Sequence, residues 1–348
     1  MAEKFSLHNT LNEVMNNAGP AMSMFFHKSF MQFVPEDLWD ASLEEIAEKV
    51  ILPWGADLHF PSAELVEDAN RVEHADELWE LIPLWVKPED FCPGTGAAEN
   101  VSLMKLKSCE MDGIRPAAIV CPGGGYENLA FRGEGIEVAE RFAAAGIRPF
   151  ILTYRFNPNR YPAPQTDLAL AVKYLRANAA SERIDPNNLT ICGFSAGGHL
   201  CASFAANRDE IDAALMAELR RTRPDLAEAY AGISVRPDKV VLGYPVISFM
   251  SEAHEGSFQA LTGGDETLRE HLSVERQVDE TYPKTFAWAC ADDSLVPASN
   301  TTRLGEALAA KGVPHEVRIY PEGEHGCVLG AGTSAAGWFD EMLAFMQL

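Results

Sequence analysis

Of the 348 residues, 47% are hydrophobic and 23% charged, proportions that build a packed core and set the chain apart from disordered ones. With 51 acidic against 28 basic side chains the formal net charge is −23. A surface that acidic excludes nucleic acid and anionic membranes as partners and leaves neutral or cationic small molecules open.

The first residues, MAEKFSLHNTLNEVMNN, show no basic start followed by an apolar core, so no secretory leader is expected. No apolar run reaches the roughly 18 residues of a membrane span. Residues 1–110 carry more than half of the net charge together with Trp39, Trp54, Trp79 and Trp85, four of the six tryptophans. Such a segment is expected to be folded. Up to about residue 100 the pattern is helical or irregular. Ser42 stands three residues before Glu45 in SLEEIAEKVIL, the spacing of a capping box. A stripe with Met15, Met22, Met24, Met31 and several phenylalanines reads as core, as a subunit contact, or as a lid. FCPGTGAAEN (91–100) is the expected hinge between a mostly helical accessory segment (1–100) and a main domain (101–348).

Beyond it the rhythm changes. VSLMKLK, RPAAIVC, IRPFILTYRF, NLTICGF, DKVVLGYPV, KTFAWAC and HEVRIY read as strands. Helix-like stretches separate them, among them EGIEVAERFAAAG, APQTDLALAVKYLRANAA, SAGGHLCASFAAN and SNTTRLGEALAAKG, and SAAGWFDEMLAFMQL closes the chain. This alternation predicts an α/β fold, a mainly parallel sheet with helices on both faces and reactive groups at the carboxyl ends of the strands. Residues 208–232 read as inserted helix and 247–283 as a long excursion, both placed to shape a pocket mouth. The seven cysteines include no CxxC pair. Free thiols in a reducing, cytoplasmic compartment account for them.

Gly193-Phe194-Ser195-Ala196-Gly197 fits G-x-S-x-G with a strand before it and a helix after it, the setting in which a tight turn lifts a serine hydroxyl clear of a sheet. A glycine-serine turn without chemistry is the plain alternative. A serine needs a base, and in the order Ser…Asp/Glu…His the base lies downstream. Of His199, His254, His271, His315 and His325, the last sits in a Gly-flanked loop after a strand and is the expected base. His199, one helical turn past the serine, is expected to pack or hydrogen-bond there. In CADDSLVPASNT, Asp293 or Asp292 could orient the imidazole, with Asp293 favoured because it falls in the turn. CPGGGYENL ends an early strand, and its glycines let backbone N–H groups converge. Gly124 and Gly125, with Ala196 after the nucleophile, are the expected oxyanion donors. A phosphate loop is not indicated, since GxGxxG and GxxxxGK[ST] are both absent.

Taken with YRFNPNRYPAPQTDLALAV, IDPNNLTICGFSAGGHL, RPDKVVLGYPVIS, DDSLVP and EGEHG, which follow CPGGGY in order over about residues 100–348, these motifs resemble the α/β-hydrolase superfamily. Within it they are similar to a bacterial branch of carbohydrate esterases that includes acetylxylan esterase-like and feruloyl esterase-like proteins. Pro122 before the triple glycine, where other relatives often have histidine, matches that branch. The resemblance implies an α/β-hydrolase fold and hydrolysis of small acyl esters, typically acetyl groups on plant-polysaccharide fragments, with no metal or organic cofactor. The expected ligand is a small acylated sugar or oligosaccharide. A prolyl-oligopeptidase-like peptidase and a binding protein on an inactive hydrolase fold are the alternatives. The first hundred residues are expected either to assemble a homo-oligomer or to line the pocket with tryptophans.

Overall fold

Among the described residues, eight short runs rich in valine, isoleucine, leucine and alanine pair into one sheet. They are β1 (Trp79–Pro83), β2 (Ser102–Leu106), β3 (Arg115–Cys121), β4 (Arg148–Thr153), β5 (Ile184–Phe194), β6 (Lys239–Gly243), β7 (Lys284–Cys290) and β8 (His315–Tyr320). The computed structural model describes residues 5–17, 34–49, 65–67, 69–70, 79–91, 100–107 and 112–348. Strand order is β1-β2-β4-β3-β5-β6-β7-β8. From β3 onward all strands are parallel, while β2 runs antiparallel to β4 and β1 antiparallel to β2. β4 is buried at every position, as a strand covered on both faces must be.

Order reverses at β3, because the chain first steps outward to β4 and then back past β3 to β5. Right-handed crossovers therefore send the connecting helices to opposite faces. Helices α3 (Val138–Ala144) and α9 (Trp338–Met346) share one face, where Phe142 meets Phe339 at 4.9 Å. On the other lie α4 (Ala163–Ala177), α5 (Ser195–Ala206) and α6 (Arg208–Thr222), packed on one another. The expected insertion at 208–232 is α6 followed by α7 (Pro224–Ala229), and the excursion at 247–283 contains α8 (Glu255–Thr262). The crevice at the carboxyl ends of β3 and β5, where the order reverses, is where such sheets bind ligands.

In the N-terminal segment, α1 (Leu11–Asn16) and α2 (Leu43–Lys49) are both capped as capping boxes, the second by Ser42 and Glu45 as the spacing predicts. The segment also supplies β1, which the sequence reads as helical or irregular. Five residues with only partial alternation carry too little period to announce a strand, and pairing with β2 makes it one. Trp79 and Trp85 are buried in the core, so neither offers a face to a sugar. Trp39 donates its Nε1–H to the Val34 carbonyl. Trp54, Met22, Met24, Met31, Cys92, Cys109 and residues 92–99 of the expected hinge lie outside the described residues.

Candidate active site

Ser195 is the first residue of α5 and stands directly after β5, with φ of 50°. That left-handed backbone is costly for a residue with a side chain and is tolerated where packing over-determines it. The turn demands close approach. A Cβ on Gly197 would lie 2.1 Å from the Cys121 carbonyl oxygen at the end of β3, so only glycine lets the helix start beside the neighbouring strand.

The structure brings the predicted base and acid to this serine. His325 Nε2 lies 2.9 Å from Ser195 Oγ, and its Nδ1 lies 2.7 Å from Asp293 Oδ2. Asp293 is buried, and its other oxygen accepts the backbone N–H groups of Leu295 (3.0 Å) and Val296 (2.8 Å). Asp292 points the other way. Its carboxylate accepts the N–H groups of Gly323 and Glu324 at 3.0 to 3.1 Å, which hold it below the usual carboxylate range and clamp the loop carrying His325. Of the two, Asp293 is the one that lies against His325.

The glycine loop after β3 sits opposite. Gly124 has φ of 120°, a conformation open only to glycine, and its carbonyl accepts the N–H groups of Glu127 and Asn128. Gly124 and Gly125 N–H have no acceptor among the described residues. Ala196 belongs to the first turn of α5, whose N–H groups lack intrahelical partners. The Gly123 N–H, by contrast, is taken by Glu134 at 2.5 Å.

The other four candidate histidines are engaged elsewhere. His199 is buried, accepting the Tyr126 hydroxyl proton at Nδ1 (2.9 Å) and donating from Nε2 to the Leu272 carbonyl (2.8 Å). Burial pushes it down to about 4, so it stays neutral and braces Tyr126, the residue after the glycines. His254 caps α8 by accepting the Ser257 N–H, His271 meets Tyr161 and Glu210, and His315 bonds the Val313 carbonyl. Sequence reasoning passed over Glu134, Tyr126, Tyr154 and Tyr244. Tyr154 donates to the Pro122 carbonyl, and the Tyr244 ring meets that of His325 edge-on at 4.8 Å. Tyr244 follows the last residue of β6, a strand end where functional side chains collect, and that position was its one signal. Among the described residues no three of His, Cys, Asp or Glu gather as a metal ion requires, and no helix is long and apolar enough to cross a membrane.

The BD-FAE family model matches residues 109–308, more than half of the chain. Endo-1,4-beta-xylanase B of Butyrivibrio fibrisolvens is 34% identical over 230 residues, covering 64% of this chain and 34% of that protein. Acetylxylan esterase of Xylanibacter ruminicola is 29% identical over 230 residues, 64% of this chain and 42% of its own length. The chain therefore spans well under half the length of these two relatives. Among solved structures, an acetyl ester-xyloside bifunctional hydrolase from Caldicellulosiruptor lactoaceticus is 32% identical with a TM-score of 0.66, covering 77% of this chain and 95% of that one. The chain belongs to the BD-FAE family of α/β-hydrolase esterases.

Proposed function

We propose that this protein removes acetyl groups from soluble acetylated xylan-type oligosaccharides through an acyl-enzyme formed on Ser195. The observation that carries the reading is the continuous hydrogen-bonded line from Ser195 Oγ through His325 to Asp293. The relatives named for acetylxylan and acetyl-ester xyloside hydrolysis support the choice of acyl group and sugar.

His325 Nε2 takes the Ser195 proton as Oγ bonds to the acetyl carbon. The carbonyl oxygen becomes an oxyanion facing the N–H groups of Gly124, Gly125 and Ala196, each well-aimed donor being worth roughly 3 kcal/mol of barrier. Asp293 holds the Nδ1–H tautomer and stabilises the imidazolium. Collapse breaks the bond to the sugar oxygen, which receives the proton from Nε2 and leaves as the alcohol. Water then gives a proton to His325 while its oxygen attacks the acyl carbon, and acetate departs as Ser195 regains its proton. The side chains and backbone groups named in this cycle all lie between Gly124 and His325.

A net charge of −23 favours neutral, soluble fragments over anionic polymers. Cys121, Cys192, Cys201, Cys290 and Cys327 are free thiols, which suits the cytoplasm as the place of action. The test is acetate release from a panel of acetylated xylo-oligosaccharides, followed by mass spectrometry, for native protein and Ser195→Ala. The native protein deacetylates the panel, and the variant loses roughly a millionfold in kcat. Undiminished turnover by Ser195→Ala, or release of amino-acid amides faster than any acetyl ester, would overturn the reading.

A further inference from the structure

The buried acid Glu134 joins two parts of the site that the reaction above treats separately. We infer that it is a positioning residue, its carboxylate anchoring the oxyanion loop while favouring the imidazolium that forms on His325. This rests on the esterase reading above.

Glu134 lies in a π-helical turn, Phe131–Glu137, and is only 5% exposed. Each carboxylate oxygen has its own donor. Oε2 takes the Gly123 N–H at 2.5 Å, and Oε1 takes the Tyr244 hydroxyl at 2.9 Å. A Cβ built on Gly123 would lie 2.7 Å from Glu134 Oε2 and 2.8 Å from Ser195 Cβ. The carboxylate and the nucleophile therefore flank the same glycine, and Tyr244 carries the contact on to His325 at 4.8 Å. Tying down the Gly123 N–H fixes the Pro122–Gly123 peptide, one step before Gly124 and two before Gly125, the expected oxyanion donors.

Charge supplies the second half of the role. Burial pushes the Glu134 carboxyl up, against the Gly123 N–H, the His325 ring and the Tyr244 hydroxyl, which all favour its ionised form. Tyr154, behind β4, and Cys192, on β5, also face it, and burial keeps both neutral by raising them well above their usual range. His325 is faced in addition by Asp293 and by His254 on the excursion. In its ionised form Glu134 adds a second carboxylate on the imidazole side of the site without competing for Nδ1, and an imidazolium gains from it.

The experiment compares native protein, Glu134→Gln, Glu134→Ala and Tyr244→Phe on p-nitrophenyl acetate, reading kcat, KM and the pH profile of kcat/KM. Glu134→Gln keeps an acceptor for the Gly123 N–H and removes the charge. Its kcat falls roughly tenfold with KM near native, and the acid limb moves to lower pH by about half a unit or more. Glu134→Ala, which also loses the anchor, falls about tenfold further, so the glutamine variant is the partial rescue. Tyr244→Phe keeps the ring and removes one donor, moving the acid limb the same way by less. A purely structural Glu134 would lower stability and leave the acid limb in place. Native acid limbs in both Glu134→Gln and Tyr244→Phe overturn the proposal, and Tyr244→Phe decides alone if Glu134→Gln does not fold. Activity surviving Ser195→Ala would instead sink the esterase reading.

Discussion

Asp292 and Asp293 are consecutive yet serve different partners, one holding the backbone of the His325 loop and the other the imidazole itself. Their substitutions should separate accordingly. Asp293→Asn leaves the geometry but presents the wrong tautomer, and kcat is expected to fall about ten-thousandfold. Asp292→Ala only loosens the loop, with an expected loss of about 10- to 100-fold. Equal losses in a kcat comparison would contradict this division. His199 gives a prediction of the opposite kind, in stability. Its folded-state value of about 4 lies below the ordinary 6.5, so the unfolded chain binds the proton more readily. The stabilisation is complete above pH 6.5 and is lost as pH falls toward 4, a change of about 3 kcal/mol. Denaturant unfolding at both ends of that window should show the gap between native protein and His199→Gln narrowing as pH falls. A constant gap would refute the assignment. Ser195, His325 and Asp293 were legible as candidates because each stands past a strand end inside a recognisable turn. Glu134 and Tyr244 were not, because a lone acid in an apolar run and a tyrosine after a strand mean nothing until folding brings them together across some 110 residues.

At the scale of elements, the parallel core from β3 to β8 could be read from strand-like runs alternating with helices; β6 is no longer than β1, but its VVL run is continuously apolar and sits inside that rhythm. β1 could not, and neither could the anchoring of its flank. Trp85, just past β1, donates Nε1–H to Asp167 at 2.7 Å and is covered by the Arg155 guanidinium 4.7 Å from its ring. Asp167 is in turn held by Arg155 through its backbone N–H (2.7 Å) and its Nε–H (2.9 Å). These contacts fasten the N-terminal segment to α4. Trp85→Ala is expected to cost about 3–5 kcal/mol of unfolding free energy, for the cavity and the lost hydrogen bond to Asp167. Asp167→Ala should cost a similar amount by leaving the buried Arg155 with only the more exposed Glu218, at 3.4 Å, as its counter-charge. Thermal unfolding measures both, and a loss under about 1 kcal/mol in either variant would show that the junction is not structural.

For the molecule as a whole, the sheet does not begin at the Gly/Pro-rich stretch near residue 100. It begins at Trp79, so deletion of residues 1–100 removes an edge strand together with Trp79, Ile82, Leu84 and Trp85 from the core. Deletion of residues 1–78 spares that strand. The longer deletion should unfold at a markedly lower temperature than the shorter, and equal melting temperatures would place the structural boundary at residue 100 after all. The proposed reaction is a property of the assembled molecule, because the groups assigned to it come from the ends of β3, β5 and β7 and from the loop after β8. The most direct measurement is the mass of peptides from protein quenched during turnover of an acetylated xylo-oligosaccharide. An acetyl group on the peptide containing Ser195, absent from Ser195→Ala, is the predicted result. Steady turnover with that serine never acylated would contradict it.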